Sequence, residues 1–189
     1  MLVKIPLRPI ANKPTQNYSS YLPRTFFERH TVTVAKELLG KVFLCGPWCG
    51  VITETEAYHG EDDPACHAAR GRTPRTEIMY GPPGYSYVYF IYGMYHCLNV
   101  VTGAKNFPSA VLIRGVRFLS PTLSHQDGPG KLCRLLNIRK ETHNGLDMID
   151  NPTFGFREAP LVSHYKVGPR VGISQGQERQ WRFQMQGVQ

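Results

Sequence analysis

Residues 52–58, ITETEAY, decide the fold of this chain. The run is rich in residues that favour β-structure, and the side chains of a strand alternate between its two faces. Glu54, Glu56 and Tyr58 are therefore predicted to share one face of a strand. Two carboxyl groups and a phenol that face the same space are more typical of a reactive site than of a hydrophobic core.

A tyrosine-rich stretch, YSYVYFIYGMY, follows at residues 85–95. Tyr92 interrupts its period of two, beside Gly93, which favours a tight turn. We predict a β-hairpin that carries Tyr92 at its tip. Three other tyrosines are predicted to line one face of it: Tyr85, Tyr87 and Tyr89.

A polar loop, EDDPACHAARGRTPR at residues 61–75, lies between these two stretches. It carries His67 and then three arginines within six residues, a combination that is able to bind an anion. Each feature alone also has a structural explanation, because strand glutamates are usually solvated, loop histidines usually lie at the surface, and tyrosines are common in sheets. Their concentration within residues 52–99 favours a functional site.

The composition indicates a polyanionic partner. The chain has 189 residues, a net charge of +8 and only 19% charged residues, with a pI near 9.4. Many basic domains bind nothing, but among polyanions nucleic acid is favoured over an anionic membrane. The length fits one ordinary domain, and no change in composition indicates a second.

The N-terminus does not resemble a signal peptide, because Pro6, Arg8 and Pro9 interrupt residues 1–10. No run of about 18 apolar residues occurs anywhere. These features predict a soluble protein that is not secreted and has no membrane partner. We expect a monomer in the cytoplasm or on the nucleoid, or in the nucleus if the protein is eukaryotic.

The five cysteines favour a reducing compartment over a set of disulfides, since their number is odd. Cys45 and Cys49 have C-x3-C spacing, whereas thioredoxin-like chemistry uses C-x2-C, so Gly46 and Pro47 are better explained as a hairpin turn. A zinc site that uses both cysteines with Cys66 and His67 is an open alternative. We predict no metal, because no second cysteine or histidine pair completes the usual pattern.

Periodicity and turn residues predict the remaining elements. Residues 1–24 are expected to form an N-terminal arm, and residues 25–189 a single domain. Further expectations are a short helix that starts after Thr33 and ends at Gly40, a strand at 110–119, a loop at 144–164, and closing strands at 167–173 and 181–185.

Two basic residues stand out in this part of the chain. Arg114 interrupts an otherwise apolar strand face and, with no obvious local acid, is as consistent with a ligand contact as with a core ion pair. Lys131 follows Gly128, Pro129 and Gly130 at the predicted start of a helix, where backbone N–H groups favour a phosphate. The segment is not a Walker motif.

These stretches resemble the alkyladenine (3-methyladenine) DNA glycosylase family. The likeness runs from about Phe26 to Phe183 in matching order. It is carried by AKELLG (35–40), TEAY (55–58), RTPR (72–75), YVYFIYGMY (87–95), VLIR (111–114) and GPGKL (128–132). It implies an α+β fold, a single compact domain with a curved, mostly antiparallel sheet, peripheral helices and a protruding tyrosine-rich hairpin.

The resemblance also implies roles for residues in a pocket that holds a base. Glu56 matches the carboxylate that activates water. Asn99 matches the group that disfavours the exocyclic amine of guanine. The walls that stack the extruded base match Tyr58, His67 and Tyr89, with Tyr87 beside them.

Double-stranded damaged DNA is the implied partner, and no cofactor is implied. Tyr92 matches the residue that intercalates in place of the flipped nucleotide. The other implied DNA-binding residues are Arg72, Thr73, Met94, Tyr95, Arg114 and Lys131. The stretch between Arg117 and Gly128 is shorter than in some relatives, which puts any DNA contact from that region in doubt.

The chemistry expected of such a pocket follows from charge. Stacked tyrosines favour an electron-poor alkylated purine through cation–π attraction, whereas a neutral lesion such as hypoxanthine needs assistance to its leaving group. Glu56 as a base would take a proton from water and stabilise an oxocarbenium-like sugar. No lysine lies between Glu56 and Tyr58, so no Schiff base and no strand cleavage are expected.

Two other functions are consistent with parts of the pattern. A saccharide hydrolase is one, because Glu54 and Glu56 are two strand positions apart, roughly 7 Å, near the separation of inverting enzymes. A neutral sugar as substrate does not account for the basic surface. A non-catalytic nucleic-acid-binding module is the other, but it leaves Glu56 unexplained beside a polyanion.

Overall fold

The computed structural model describes residues 20–187. The α-helices in this range are α1 (Arg24–Phe27), α2 (Thr31–Leu38), α3 (Pro129–Leu135) and α4 (Lys140–His143). Two 3₁₀-helices, His67–Arg70 and Glu77–Tyr80, lie between the second and third strands. The strands are β1 (Val42–Cys45), β2 (Trp48–His59), β3 (Ser86–Ile91), β4 (Tyr95–Val101), β5 (Ser109–Ser120), β6 (Ser124–Asp127), β7 (Phe154–Arg157), β8 (Tyr165–Gly168) and β9 (Arg182–Met185).

The described strands form one antiparallel sheet around the two longest of them, β2 and β5. Its order is β3-β4-β5-β2-β1-β7. In addition, β6 pairs with β5, β9 pairs with β2, and β8 pairs with β9. Because β1 covers only the first part of β2, β9 pairs with residues 54–56 further along the same edge. The predicted fold class, a single α+β domain with a mostly antiparallel, curved sheet, is confirmed.

The hairpin β3–β4 is closed by a tight turn. Ile91 pairs with Tyr95, and Met94 donates its backbone N–H to the carbonyl of Ile91 at 3.1 Å. Three residues lie between the paired Ile91 and Tyr95. The first two have positive φ, 51° at Tyr92 and 66° at Gly93, as the central residues of a type I′ turn do. The Tyr92 side chain is 79% exposed at this tip.

The two faces of the sheet serve different purposes, because side chains alternate along each strand. One face packs on α2 and forms the main core, to which these residues contribute: Val34, Leu38, Ala57, Val88, Leu98, Val100, Val111 and Ile113. The residues between them point to the opposite face. There a second buried cluster contains Cys66, Met79, Tyr80, Tyr87, Val101 and Ala110.

Several predicted boundaries are wrong. The helix expected after Thr33 begins at Thr31. The loop expected at 144–164 contains β7, whose four residues are buried against β1. The strand expected at 167–173 is β8, which ends at Gly168, one residue before Pro169, since proline cannot donate to the ladder.

Most of the predicted N-terminal arm, residues 1–19, lies outside the described residues. From residue 20 onward the chain is attached to the domain, because Leu22 is buried and Tyr21 forms a bridge with Arg157. Between residues 20 and 187 we find no helix of the length and apolarity that a membrane span demands.

Candidate active site

A row of paired residues crosses the sheet beneath a cavity of about 610 Å³. Tyr87 pairs with Asn99, Asn99 with Leu112, and Leu112 with Glu56. Residues paired directly across antiparallel strands project from the same face. Glu56 therefore shares a face with the predicted pocket residues on β3 and β4, although each comes from a different part of the sequence.

Glu56 lies at the base of this arrangement with no exposed surface. Its Oε2 accepts a hydrogen bond from the Tyr58 hydroxyl at 2.8 Å, and its Oε1 accepts one from the Val171 backbone N–H at 2.8 Å. Nε of Arg114 lies 3.4 Å from the same Oε1. Tyr58, Arg114 and Val171 line the cavity, so the carboxylate lies directly behind the cavity wall, in contact with three of its residues.

Burial raises the pKa of Glu56 above its ordinary value, while Arg114 and the two hydrogen bonds oppose the rise. Desolvation disfavours the charged form, and a raised pKa makes a carboxylate a stronger base. A general base is most effective when its pKa is close to the working pH. The environment of Glu56 therefore suits proton abstraction.

Glu54, the second carboxylate on this face, is held differently. Nε of Arg114 donates to Glu54 Oε1 at 3.1 Å, and Nη1 of Arg182 donates to the same oxygen at 3.2 Å. Of the two possibilities that the sequence left open for Arg114, the structure shows the core ion pair. β5 pairs with β2, and this brings Arg114 beside both glutamates. Its predicted contact with DNA stays a prediction.

Three aromatic side chains predicted for the pocket are in mutual contact. The ring centres of His67 and Tyr89 are 4.4 Å apart, and those of Tyr87 and Tyr89 are 5.4 Å apart. Nδ1 of His67 lies 2.8 Å from the Tyr87 hydroxyl. Burial, with a smaller effect of Arg75, lowers the pKa of His67 to about 4, so the ring is neutral at physiological pH.

Asn99 lies in the row between Tyr87 and Leu112 and lines the cavity. Its amide nitrogen donates to the backbone carbonyl of Tyr87 at 3.0 Å, and the residue is buried. One hydrogen bond therefore orients the amide within the hairpin itself.

Asp63 and Arg170 were not singled out from the sequence, yet they support the site. Nη2 of Arg170 donates to Oδ1 of Asp63 at 2.7 Å in a bidentate pair with no exposed side-chain surface. The guanidinium carbon lies 4.7 Å from the ring centre of Tyr58. Since Val171 directly follows Arg170, the pair also fixes the backbone that contacts Glu56. No local signal indicates this, because the partners are 107 positions apart.

The predicted DNA-binding residues fall into two groups. Tyr92 and Met94 are exposed on the hairpin turn, and Tyr92 also lines the cavity. Tyr95 packs against Gly130 so closely that a Cβ there would lie 2.9 Å from its ring, which sets the start of α3, with Lys131, beside the hairpin.

Arg72 and Thr73 form the second group, on the loop before Glu77–Tyr80, and Arg72 makes a bidentate pair with Glu77. Lys131, on α3, pairs with Asp127 at 2.8 Å. Both ion pairs are well exposed, so they are easily exchanged for contacts with another anion.

The cysteines and potential metal ligands do not add a centre of their own. Across residues 20–187 no three histidine, cysteine or acidic side chains come together as a metal site would need. Burial raises the pKa of Cys45, Cys49 and Cys66 to about 11, so these thiols stay protonated.

Two comparisons with known proteins, one with family models and one with individual relatives, agree with each other. The family model for methylpurine-DNA glycosylase (MPG) matches residues 25–189. A protein of Wolbachia pipientis from Culex pipiens is 56% identical over 165 residues, which cover 87% of this chain and 90% of the relative. One of Sodalis glossinidius is 52% identical over 87% of this chain and 96% of its own length. Both carry the name "Putative 3-methyladenine DNA glycosylase".

Proposed function

This chain belongs to the methylpurine-DNA glycosylase family and is a 3-methyladenine DNA glycosylase, and from that premise we propose how it acts. It flips alkylated or deaminated purines out of duplex DNA and hydrolyses the N-glycosidic bond with a water activated by Glu56. The lesions are of the 3-methyladenine, 7-methylguanine and hypoxanthine type. It acts as a monomer, without a cofactor and without cleaving the strand.

The observation that carries the proposal is the buried Glu56 carboxylate beneath an aromatic cavity. A carboxylate has about four acceptor positions, of which the Tyr58 hydroxyl and the Val171 N–H use two, with Nε of Arg114 3.4 Å from Oε1. Capacity remains for a water that enters from the side of the cavity. Glu56 would take the proton of that water as it attacks C1′ and would stabilise the positive charge on the sugar.

The cavity suits a single purine taken out of the stack. Its aromatic walls, Tyr58, His67, Tyr87 and Tyr89, offer π faces to a flat base, and an alkylated cationic ring gains cation–π attraction there. The buried amide of Asn99 lies beside them, where it would disfavour the exocyclic amine of normal guanine.

Base flipping accounts for the exposed turn of the hairpin. Extrusion of a nucleotide costs a few kcal/mol, and an inserted side chain offsets part of this cost by filling the gap. Tyr92 is the most exposed of the large hydrophobic residues in the described range and borders the cavity. The net charge of +8 favours binding of the negatively charged DNA backbone by this protein.

The two carboxylates are not equivalent, which disfavours a saccharide hydrolase of the inverting type. Such an enzyme needs a free acid and a free base on opposite sides of the bond. Glu54 is instead held by two arginines, Arg114 and Arg182, as an ion pair. A module that only binds nucleic acid would gain nothing from a buried carboxylate at its aromatic site.

The test is release of free base from a methylated duplex. Wild-type protein should release 3-methyladenine and leave the strand intact until the abasic site is cleaved by alkali. No lysine lines the cavity among residues 20–187, so borohydride should trap no covalent complex with DNA. Binding without release by the wild type would favour the non-catalytic alternative.

A further inference from the structure

Arg75 touches two of the side chains that line the proposed base cavity. Its Nη2 donates a hydrogen bond to Nε2 of His67 at 3.3 Å. Its guanidinium carbon lies 5.5 Å from the ring centre of Tyr89. Arg75 also lines the cavity directly, so a purine held against these rings would lie within about 10 Å of the charge, roughly one screening length.

No carboxylate neutralises the charge of Arg75 nearby, whereas two neighbouring arginines of the site are paired with acids. Arg72 pairs with Glu77, and Arg170 with Asp63. In the part of the chain that the structure describes, no carboxylate oxygen lies within 4.0 Å of Arg75. A base in the cavity would therefore experience its field.

The same contact selects one form of His67. Arginine has donors only, so Nε2 of His67 accepts and the ring proton lies on Nδ1, which donates to the Tyr87 hydroxyl at 2.8 Å. His67 is thus a neutral ring with both nitrogens engaged. It holds Arg75 in place, and its engaged nitrogens leave it no free proton to give to a departing base.

We propose that Arg75 is a specificity-determining residue that stabilises the negative charge of a departing purine and thereby extends activity to neutral lesions. This inference rests on the proposed glycosylase function. Cleavage of the bond between C1′ and the base nitrogen moves the electron pair onto the base and leaves positive charge on the sugar. A cationic 3-methyladenine then leaves as a neutral base, whereas a neutral hypoxanthine leaves as an anion.

The two lesions should respond differently when the charge is removed. Bound hypoxanthine is neutral, so Arg75 gains no charge–charge attraction in the bound state. It attracts the anion that forms in the transition state, so removal of the Arg75 charge lowers both kcat and kcat/KM. For 3-methyladenine, Arg75 repels the bound cation and no longer does so in the transition state. Its loss therefore lowers kcat and KM together and leaves kcat/KM nearly unchanged.

The experiment compares Arg75→Gln with Arg75→Lys and with the wild type. Freshly methylated duplex and a hypoxanthine duplex are mixed, and the two released bases are measured together. The ratio of their kcat/KM values does not depend on how much of the enzyme is folded. We expect Arg75→Gln to raise the ratio of 3-methyladenine to hypoxanthine about fivefold, by the Coulomb energy of one charge near the surface. Arg75→Lys should return it to the wild-type value.

Arg139→Gln is the matched control, because Arg139 carries the same charge, forms no ion pair in residues 20–187 and does not line the cavity. It should leave the ratio unchanged, since its charge does not border the bound base. A ratio that does not change in Arg75→Gln, or that rises equally in Arg139→Gln, overturns the inference.

The wild type separates this inference from the proposed function. If it releases 3-methyladenine but no hypoxanthine, the role of Arg75 is wrong and the glycosylase chemistry stands. If it releases neither base, the proposed function itself is wrong.

Discussion

The hydroxyl of Tyr58 donates a hydrogen bond to Oε2 of Glu56 at 2.8 Å. The Tyr58 ring lines the cavity, whereas the carboxylate has no exposed surface. One side chain therefore links the space proposed for the base to the group proposed to activate water. A base stacked on Tyr58 would have its glycosidic bond at a defined position relative to Glu56, which is how orientation lowers a reaction barrier.

Replacement of Glu56 by glutamine should abolish base release while binding to a lesion duplex stays within a few-fold of wild type. Glutamine keeps the shape of the side chain but cannot accept a proton from water, and loss of a general base costs about 10² to 10⁴ in rate. Single-turnover release of 3-methyladenine and a binding titration measure the two effects.

Glu54→Gln is the control for this prediction. Glu54 is bound by Arg114 and Arg182, so its loss should slow release much less. Equal losses in the two variants would favour a pair of acting carboxylates, and near-normal release by Glu56→Gln would exclude Glu56 as the base.

Replacement of Arg114 by glutamine should move the acidic limb of the pH–rate profile to higher pH. Activity requires ionised Glu56, whose pKa burial raises and Arg114 lowers. Without Arg114 the pKa rises further, so the rate begins to fall at a higher pH as the medium is acidified. Single-turnover rates between about pH 5 and about pH 8 would show the displacement.

Arg182→Gln tests whether any lost charge has this effect. Arg182 bonds Glu54, and the groups that shift the pKa of Glu56 do not include it. The limb should stay close to its wild-type position. A displacement of equal size in both variants would contradict a direct effect of Arg114 on Glu56.

The alternation of residues was enough to predict which candidate site residues share a face of the sheet. Glu54, Glu56 and Tyr58 alternate on one strand, and Tyr87 and Tyr89 on another, so period two alone assigns them to faces. The pairing of strands is a non-local property. Arg114 is 60 positions from Glu54, and nothing in the neighbourhood of either residue reveals that β2 and β5 are adjacent.

The Asp63–Arg170 pair was missed for the same reason, and the strand β7 for a different one. Four residues with a central glycine, Phe154 to Arg157, give too short a pattern to distinguish a strand from a loop. Their burial against β1 stabilises the strand, and this becomes visible only when the sheet is assembled.

Replacement of Asp63 by asparagine should destabilise the protein by about 3 kcal/mol, because it leaves the Arg170 guanidinium buried without a counter-charge. For a chain of this size that is a fall in Tm of roughly 10 °C. Urea and thermal unfolding measure the change.

Asp127→Asn is the control for this prediction. It removes one partner of the exposed Lys131 pair and should lower the free energy of unfolding by less than about 1 kcal/mol. Similar losses in both would show that Asp63 contributes no more than a surface charge.

Replacement of Tyr92 by alanine should impair flipping more than chemistry. Its side chain is proposed to fill the space that the nucleotide leaves, whereas Tyr58 and Tyr89 would contact the base. The loss should be largest, about tenfold or more, where most stacking and pairing must be broken. Excision of hypoxanthine opposite thymine, opposite cytosine and in single-stranded DNA compares these contexts.

Phe90→Ala is the matched control, since Phe90 is another exposed aromatic residue of the hairpin but lies before the turn. Its loss should be small and similar in the three contexts. For Tyr92→Ala the loss should be greatest in the well-paired duplex and smallest in the single strand, where no partner strand remains to close the gap. An equal fold-loss of excision rate in all three contexts would mean that Tyr92 does not fill the space of the flipped nucleotide and is an ordinary exposed residue of the turn.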